Sequence, residues 1–136
     1  LSQTVPVAGA IVVTTPQQVS LADTRRAVAM YKKLNIPTLG VIENMSYFVC
    51  PECQHESDIF GNGGGEAMAT SLGVPFLGRV PLYQPIREGG DSGVPVMISE
   101  PGSPAARAIV AAAEQAAAQV SIASYNRPTI PLTLVR

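Results

Sequence analysis

Residues 8–44 read AGAIVVTTPQQVSLADTRRAVAMYKKLNIPTLGVIEN, and this stretch decides the fold. Residues 8–15 form a short apolar, β-branched run closed by Thr15-Pro16, the pattern of a strand buried on both faces in a parallel sheet. Ser20 and Asp23 have capping-box spacing, which satisfies backbone donors that a first helical turn leaves unpaired, so a helix is expected from about residue 20 to residue 34. Leu21, Ala27, Val28, Tyr31 and Leu34 recur at helical period and give that helix its buried stripe. Asn35-Ile36-Pro37 ends it, and residues 38–44 supply a second buried strand. Strand, helix, strand in one stretch is a βαβ unit, and such crossovers are almost always right-handed.

Outward from this unit the pattern changes. Residues 45–65 lack periodicity and hold both cysteines and the run Gly61-Asn62-Gly63-Gly64-Gly65. These glycines read as a flexible turn ahead of a short helix over residues 66–72. A third strand is expected over residues 76–80, stopped by Pro81. Residues 82–102 read as one helical turn and then loop, punctuated by Gly89-Gly90, Gly93 and Pro95. Ser103-Pro104 is a cap followed by proline in the first turn, opening an Ala-rich helix to about residue 120 with Ile109, Ala113, Ala117 and Val120 on its buried side. The expected fold is α/β, a parallel sheet of three strands with flanking helices over residues 1–121, followed by a tail over residues 122–136.

Composition supports this and excludes several function classes. Of 136 residues, 46% are hydrophobic and 14% charged, below the usual ~25%, which fits a sheet covered by helices rather than a disordered chain. A net charge of −1 leaves no electrostatic footprint for nucleic acid. No run approaches the ~18 apolar residues of a membrane span. Two cysteines cannot staple a secreted fold of this size, so metal or redox chemistry in a reducing, cytoplasmic setting is expected.

Ligands of open parallel sheets bind beyond the carboxyl ends of the strands. Here those ends are Thr14-Thr15-Pro16-Gln17, Glu43-Asn44 and Val80-Pro81-Leu82. The Asn44 carboxamide offers a donor and an acceptor side by side, matching the N7 and N6 edge of adenine. Its plainer use is to bond nearby backbone at a strand end. The chain has no Gly-Lys pair, so no P-loop surrounds a phosphate, and Glu66 after the glycine run would repel one.

Cys50-Pro51-Glu52-Cys53 places two thiols close enough to grip one metal or one cluster edge. A structural zinc site or a Cys-ligated cluster wants four ligands. His55 is a candidate third ligand, cramped by its spacing from Cys53. Two copies of the chain would supply four cysteines, enough for one cluster shared across a two-fold axis. Tyr47, Phe48 and Phe60 flank the pair and suit either an interface or packing under the loop. Between Leu34 and Gly78 there are five acidic residues and no Lys or Arg, which disfavours polyanions there. A redox dithiol fits less well, because that chemistry expects the pair at a helix N-terminus.

Taken together, these residues resemble the Mrp/ApbC-type iron–sulfur cluster carriers, P-loop ATPases related to the MinD/ParA group. The matching strings are VAGAIVVTTPQ (7–17), LGVIENMSYFVCPEC (39–53), DIFGNGGGE (58–66), LGVPFLGRVP (72–81) and IREGGDSGVP (86–95). Only the tail after about Ser121 falls outside the resemblance. Family members open with a Walker A loop and a switch segment, both absent here, so the chain looks like the C-terminal half of such a protein and is expected not to hydrolyse ATP alone. The resemblance implies that Cys50 and Cys53 ligate a [4Fe–4S] cluster bridging a homodimer through the CPEC loop, for delivery to apo iron–sulfur proteins. It also implies that Asn44 contacts adenine while Pro81 and Leu82 flank the base of ATP, with magnesium bound in the intact protein. Tyr83 stands where members often have Asp. A nucleotide at this edge is then expected to bias the cysteine loop through the strand ending at Asn44. The alternatives are a structural zinc module using Cys50, Cys53 and His55, and a non-enzymatic binding fragment.

Overall fold

The computed structural model describes residue 4, residues 7–53 and residues 55–125. Three parallel strands carry the fold: β1 (Ala10–Thr14), β2 (Thr38–Glu43) and, later in the chain, β5 (Phe76–Arg79), in the order β1-β2-β5. Helix α1 (Gln18–Lys33) crosses from β1 to β2, completing the expected βαβ unit. A small antiparallel pair, β3 (Phe48–Val49) and β4 (Glu56–Ser57), then brackets the cysteines. Helix α2 (Gly64–Leu72) leads into β5, and α3 (Gln84–Ser92), α4 (Val96–Ser99) and α5 (Pro104–Tyr125) follow.

Alternation along β2 distributes its side chains between two layers. Val41 joins Leu21 of α1 with Met68 and Ala69 of α2 in the central core, with Leu72, Val74 and Phe76 packed around them. Ile42 points the other way, toward Ile109, Ala112 and Ala116 of α5. Helices α1 and α2 therefore cover one face and α5 the other. Because α5 packs on β5 and β2, it leaves Ile11 and Val13 of β1 exposed. Strands β2 and β5 have helices on both faces and β1 on one, which corrects the expectation for β1.

Other boundaries differ for identifiable reasons. Helix α1 starts at Gln18, with Gln17 as its cap, so Ser20 is not the capping residue. Its hydroxyl instead accepts from the Thr15 N–H at 3.1 Å and lies 3.1 Å from Thr14 Oγ1, tying the end of β1 to the helix. Residues 84–92 are helical despite Gly89-Gly90. Gly89 is buried against the turn that follows, where a Cβ would sit 2.5 Å from the Val94 carbonyl oxygen. Ser103 does cap α5, its Oγ accepting from the Ala106 N–H at 3.1 Å. That helix continues to Tyr125, four residues into the segment read as a tail, and residues 126–136 lie outside the described residues.

Candidate functional site

The three strand ends meet along one edge through the backbone. The Asn44 N–H donates to the Thr14 carbonyl at 2.7 Å, and the Val80 N–H to the Glu43 carbonyl at 2.8 Å. Beyond β2 the chain turns at Met45, in the left-handed region at φ 52°. It then runs beside the segment after β5. The Ser46 N–H donates to the Val80 carbonyl at 3.0 Å, the Leu82 N–H to the Tyr47 carbonyl at 2.7 Å, and Phe48 bridges Leu82. The cysteine loop is thus rooted on both Asn44 and Pro81-Leu82.

The side chains of these residues open in different directions. Asn44 lines an apolar trough of about 420 Å³ between the sheet and α5, with Ile42 and Val80 among its walls. Its Oδ1 accepts from the Met45 N–H at 2.9 Å, so part of the carboxamide is used on local backbone. Pro81 and Leu82 line a second groove of about 420 Å³, with Phe48, Val49, Pro51 and Tyr83. The groove therefore joins the segment after β5 to the cysteine loop, while Asn44 faces the trough.

Cys50 and Cys53 are both free thiols at the turn between β3 and β4, Cys50 half-buried and Cys53 exposed. The hairpin closes on itself where the Cys50 N–H donates to the His55 carbonyl at 3.0 Å. The Cys50 thiol is pushed below its ordinary range, first by a hydrogen bond from the Cys53 backbone N–H, then by one from the Glu52 N–H and by the Cys53 side chain. Backbone donors aimed at a sulfur stabilise its thiolate, the form that ligates metal. His55 contributes its carbonyl to the turn and its side chain is exposed. Among the described residues, no group of three or more His, Cys, Asp and Glu comes together to hold a metal ion. The turn therefore brings two thiols together without a third such group among the described residues.

Beneath the loop lies a set of residues that the sequence did not announce. Glu43 and Ser46 are wholly buried. The Glu43 carboxylate accepts from the Ser46 hydroxyl and from the Gly65 N–H, each at 2.5 Å. Ser46 Oγ in turn accepts from Arg79 Nε at 2.9 Å, and the guanidinium lies 5.1 Å from the centre of the Tyr47 ring. A Cβ on Gly65 would approach Glu43 to 3.0 Å, so the glycine run is a close-contact surface as well as a turn. One signal was available: alternation in TLGVIE puts Glu43 on the same face as Leu39 and Val41, an acid at a core position.

With this geometry in place, comparison with known proteins decides the family. The family model described as ParA, NUBPL iron-transfer P-loop NTPase, matches residues 1–117. The chain belongs to the NUBPL iron-transfer P-loop NTPase family. An iron-sulfur cluster carrier protein of Synechocystis sp. is 50% identical over 125 residues, covering 91% of this chain and 35% of that protein. The iron-sulfur cluster transfer protein NUBPL of Dictyostelium discoideum is 50% identical over 107 residues, covering 79% of this chain and 33% of its own length. Among solved structures, the septum site-determining protein MinD of Pyrococcus horikoshii, complexed with Mg-ADP, superimposes with a TM-score of 0.64 at 31% identity. That match covers 85% of this chain and 44% of the MinD chain. The NUBPL-family chain thus spans about a third of the length of these curated relatives.

Proposed function

We propose that this chain is the cluster-holding part of an iron–sulfur cluster carrier, with Cys50 and Cys53 as ligands and a [4Fe–4S] cluster as cargo. The observation that carries the reading is the turn itself. Cys50 has backbone N–H groups directed at its sulfur and Cys53 stands exposed beside it, with no third protein ligand among the described residues. Two such turns, one from each copy of a homodimer, supply the four thiolates that such a cluster takes. An exposed, incomplete edge suits a cargo that must be handed to an apo-protein. Free thiols suit a reducing compartment, the cytoplasm. No helix among the described residues is long and apolar enough to cross a membrane.

Nucleotide enters on the base side. Asn44 retains amide donors to offer adenine on the trough side, beyond its bond to Met45, while Pro81-Leu82 would supply an apolar wall from the neighbouring groove. In the whole protein, ATP binding and hydrolysis would regulate cluster exchange through the end of β2, the strand from which the cysteine loop leaves. The phosphates and magnesium are assigned no residue here.

Anaerobic reconstitution with iron and sulfide tests the reading. A brown dimer is expected, losing its colour in the Cys50→Ser, Cys53→Ser variant. Tight, colourless zinc binding by a monomer would replace it with the zinc-module reading. In the whole protein, Asn44→Ala should weaken the nucleotide dependence of cluster transfer, and an unchanged dependence would remove Asn44 from the site.

A further inference from the structure

The buried set under the loop contains an arginine that packing alone does not account for. Glu43 and Arg79 make no direct ion pair; the Ser46 hydroxyl stands between them, donating to the carboxylate and accepting from Arg79 Nε. Arg79 Nη2 is buried without a hydrogen-bond partner among the described residues. Leaving such a donor unpaired is unfavourable, and an apolar side chain of similar length would fill the space without that cost. What the guanidinium does gain is a fixed hold on two consecutive residues, through the hydrogen bond to Ser46 and the face of Tyr47. Those two residues are the root of the cysteine loop, three to four positions before Cys50.

We propose that Arg79 is a positioning residue for the cysteine pair, clamping Ser46 and Tyr47 so that the loop presents its two thiols at one fixed spacing. Glu43 anchors the clamp from the other side by tying Ser46 to the start of α2 at Gly65. The nature of the cargo rests on the carrier reading above; the clamp does not.

The test uses phenylarsine oxide, which must bond both thiols at once, and so reads their spacing without iron. Arg79→Met is expected to bind it about tenfold more weakly than wild type, the size of effect seen when outer partners of metal ligands are removed. After reconstitution with iron and sulfide, the same variant should lose its chromophore to a chelator faster by a similar factor. Arg79→Lys keeps a cation over Tyr47 and a donor for Ser46, and should recover most of both. Equal arsenical affinity in wild type and Arg79→Met, both folded by circular dichroism, overturns the proposal. If wild type assembles no chromophore, the carrier reading falls and the arsenical comparison still decides the clamp. If Arg79→Met does not fold, Tyr47→Leu, which removes the ring under the guanidinium, is judged by the same criteria.

Discussion

Within eight residues the chain changes from Ser46, wholly buried and bonded on both sides, to Cys53, exposed. The root of the loop spends its polar groups on one another, in surroundings where each hydrogen bond is strong and each unpaired group costly. The tip does the reverse, leaving sulfur available at the surface. The difference separates two tasks in one connection. On the proposed reading, the root holds geometry and contributes stability, while the tip contributes its sulfurs and little stability.

Substitutions at the two ends should therefore have opposite signatures. The largest effect belongs to the tip: Cys50→Ser with Cys53→Ser should abolish bound iron, read by metal analysis, yet change the unfolding free energy by no more than about 0.5 kcal/mol. A large loss of stability in that variant would break the distinction. At the root, Glu43→Ala should cost about 3 kcal/mol, because it leaves the buried Ser46 hydroxyl and Gly65 N–H without their acceptor and opens a cavity. Urea unfolding followed by circular dichroism measures it.

A finer contrast lies within the tip. The Cys50 thiol is held below its ordinary range, so at neutral pH more of it is thiolate, and iodoacetamide should label Cys50 faster than its partial burial implies. At pH above the ordinary thiol range the lowered ionisation no longer favours Cys50, and the advantage should fade. Peptide mass spectrometry of partially labelled chain reads the ratio.

The smallest effect is expected away from the loop. The Tyr83 hydroxyl donates to Glu100 Oε2 at 2.6 Å, joining the start of α3 to the end of α4. Tyr83→Phe should cost under about 1 kcal/mol. The hydrogen bond to Glu100, followed by burial and the carboxylate charge, pushes the Tyr83 hydroxyl to ionise above its ordinary range. Its contribution is thus complete below the ordinary tyrosine range and lost as pH rises through the raised one.

The frame was legible because local signals and tertiary packing agree there. The apolar runs ending at Thr14 and Glu43 form parallel strands, and the helical stripe between them contributes Leu21 to the core. Ser103 caps its helix by the local rule that predicted it. That both cysteines share one turn was legible too, since their spacing is local. Features that depend on distant partners were not. Ser20 serves the end of β1 instead of a helix cap, and α3 forms across two glycines because Gly89 packs against the Val94 carbonyl. The Glu43, Ser46 and Arg79 set joins residues up to 36 positions apart, as numbered in the chain. Spacing along one element cannot reveal a hydrogen bond between Ser46 and Arg79.

The central proposal is that two cysteine pairs, each at the tip of a loop with a buried root, complete one cluster between two copies. Native mass spectrometry of the anaerobically reconstituted chain tests this most directly. The account predicts a dimer carrying a single cluster, about four iron and about four sulfide per two chains, absent when Cys50 and Cys53 are replaced by Ser. A cluster or a zinc ion retained on a monomer, or a dimer whose iron survives that replacement, would contradict it.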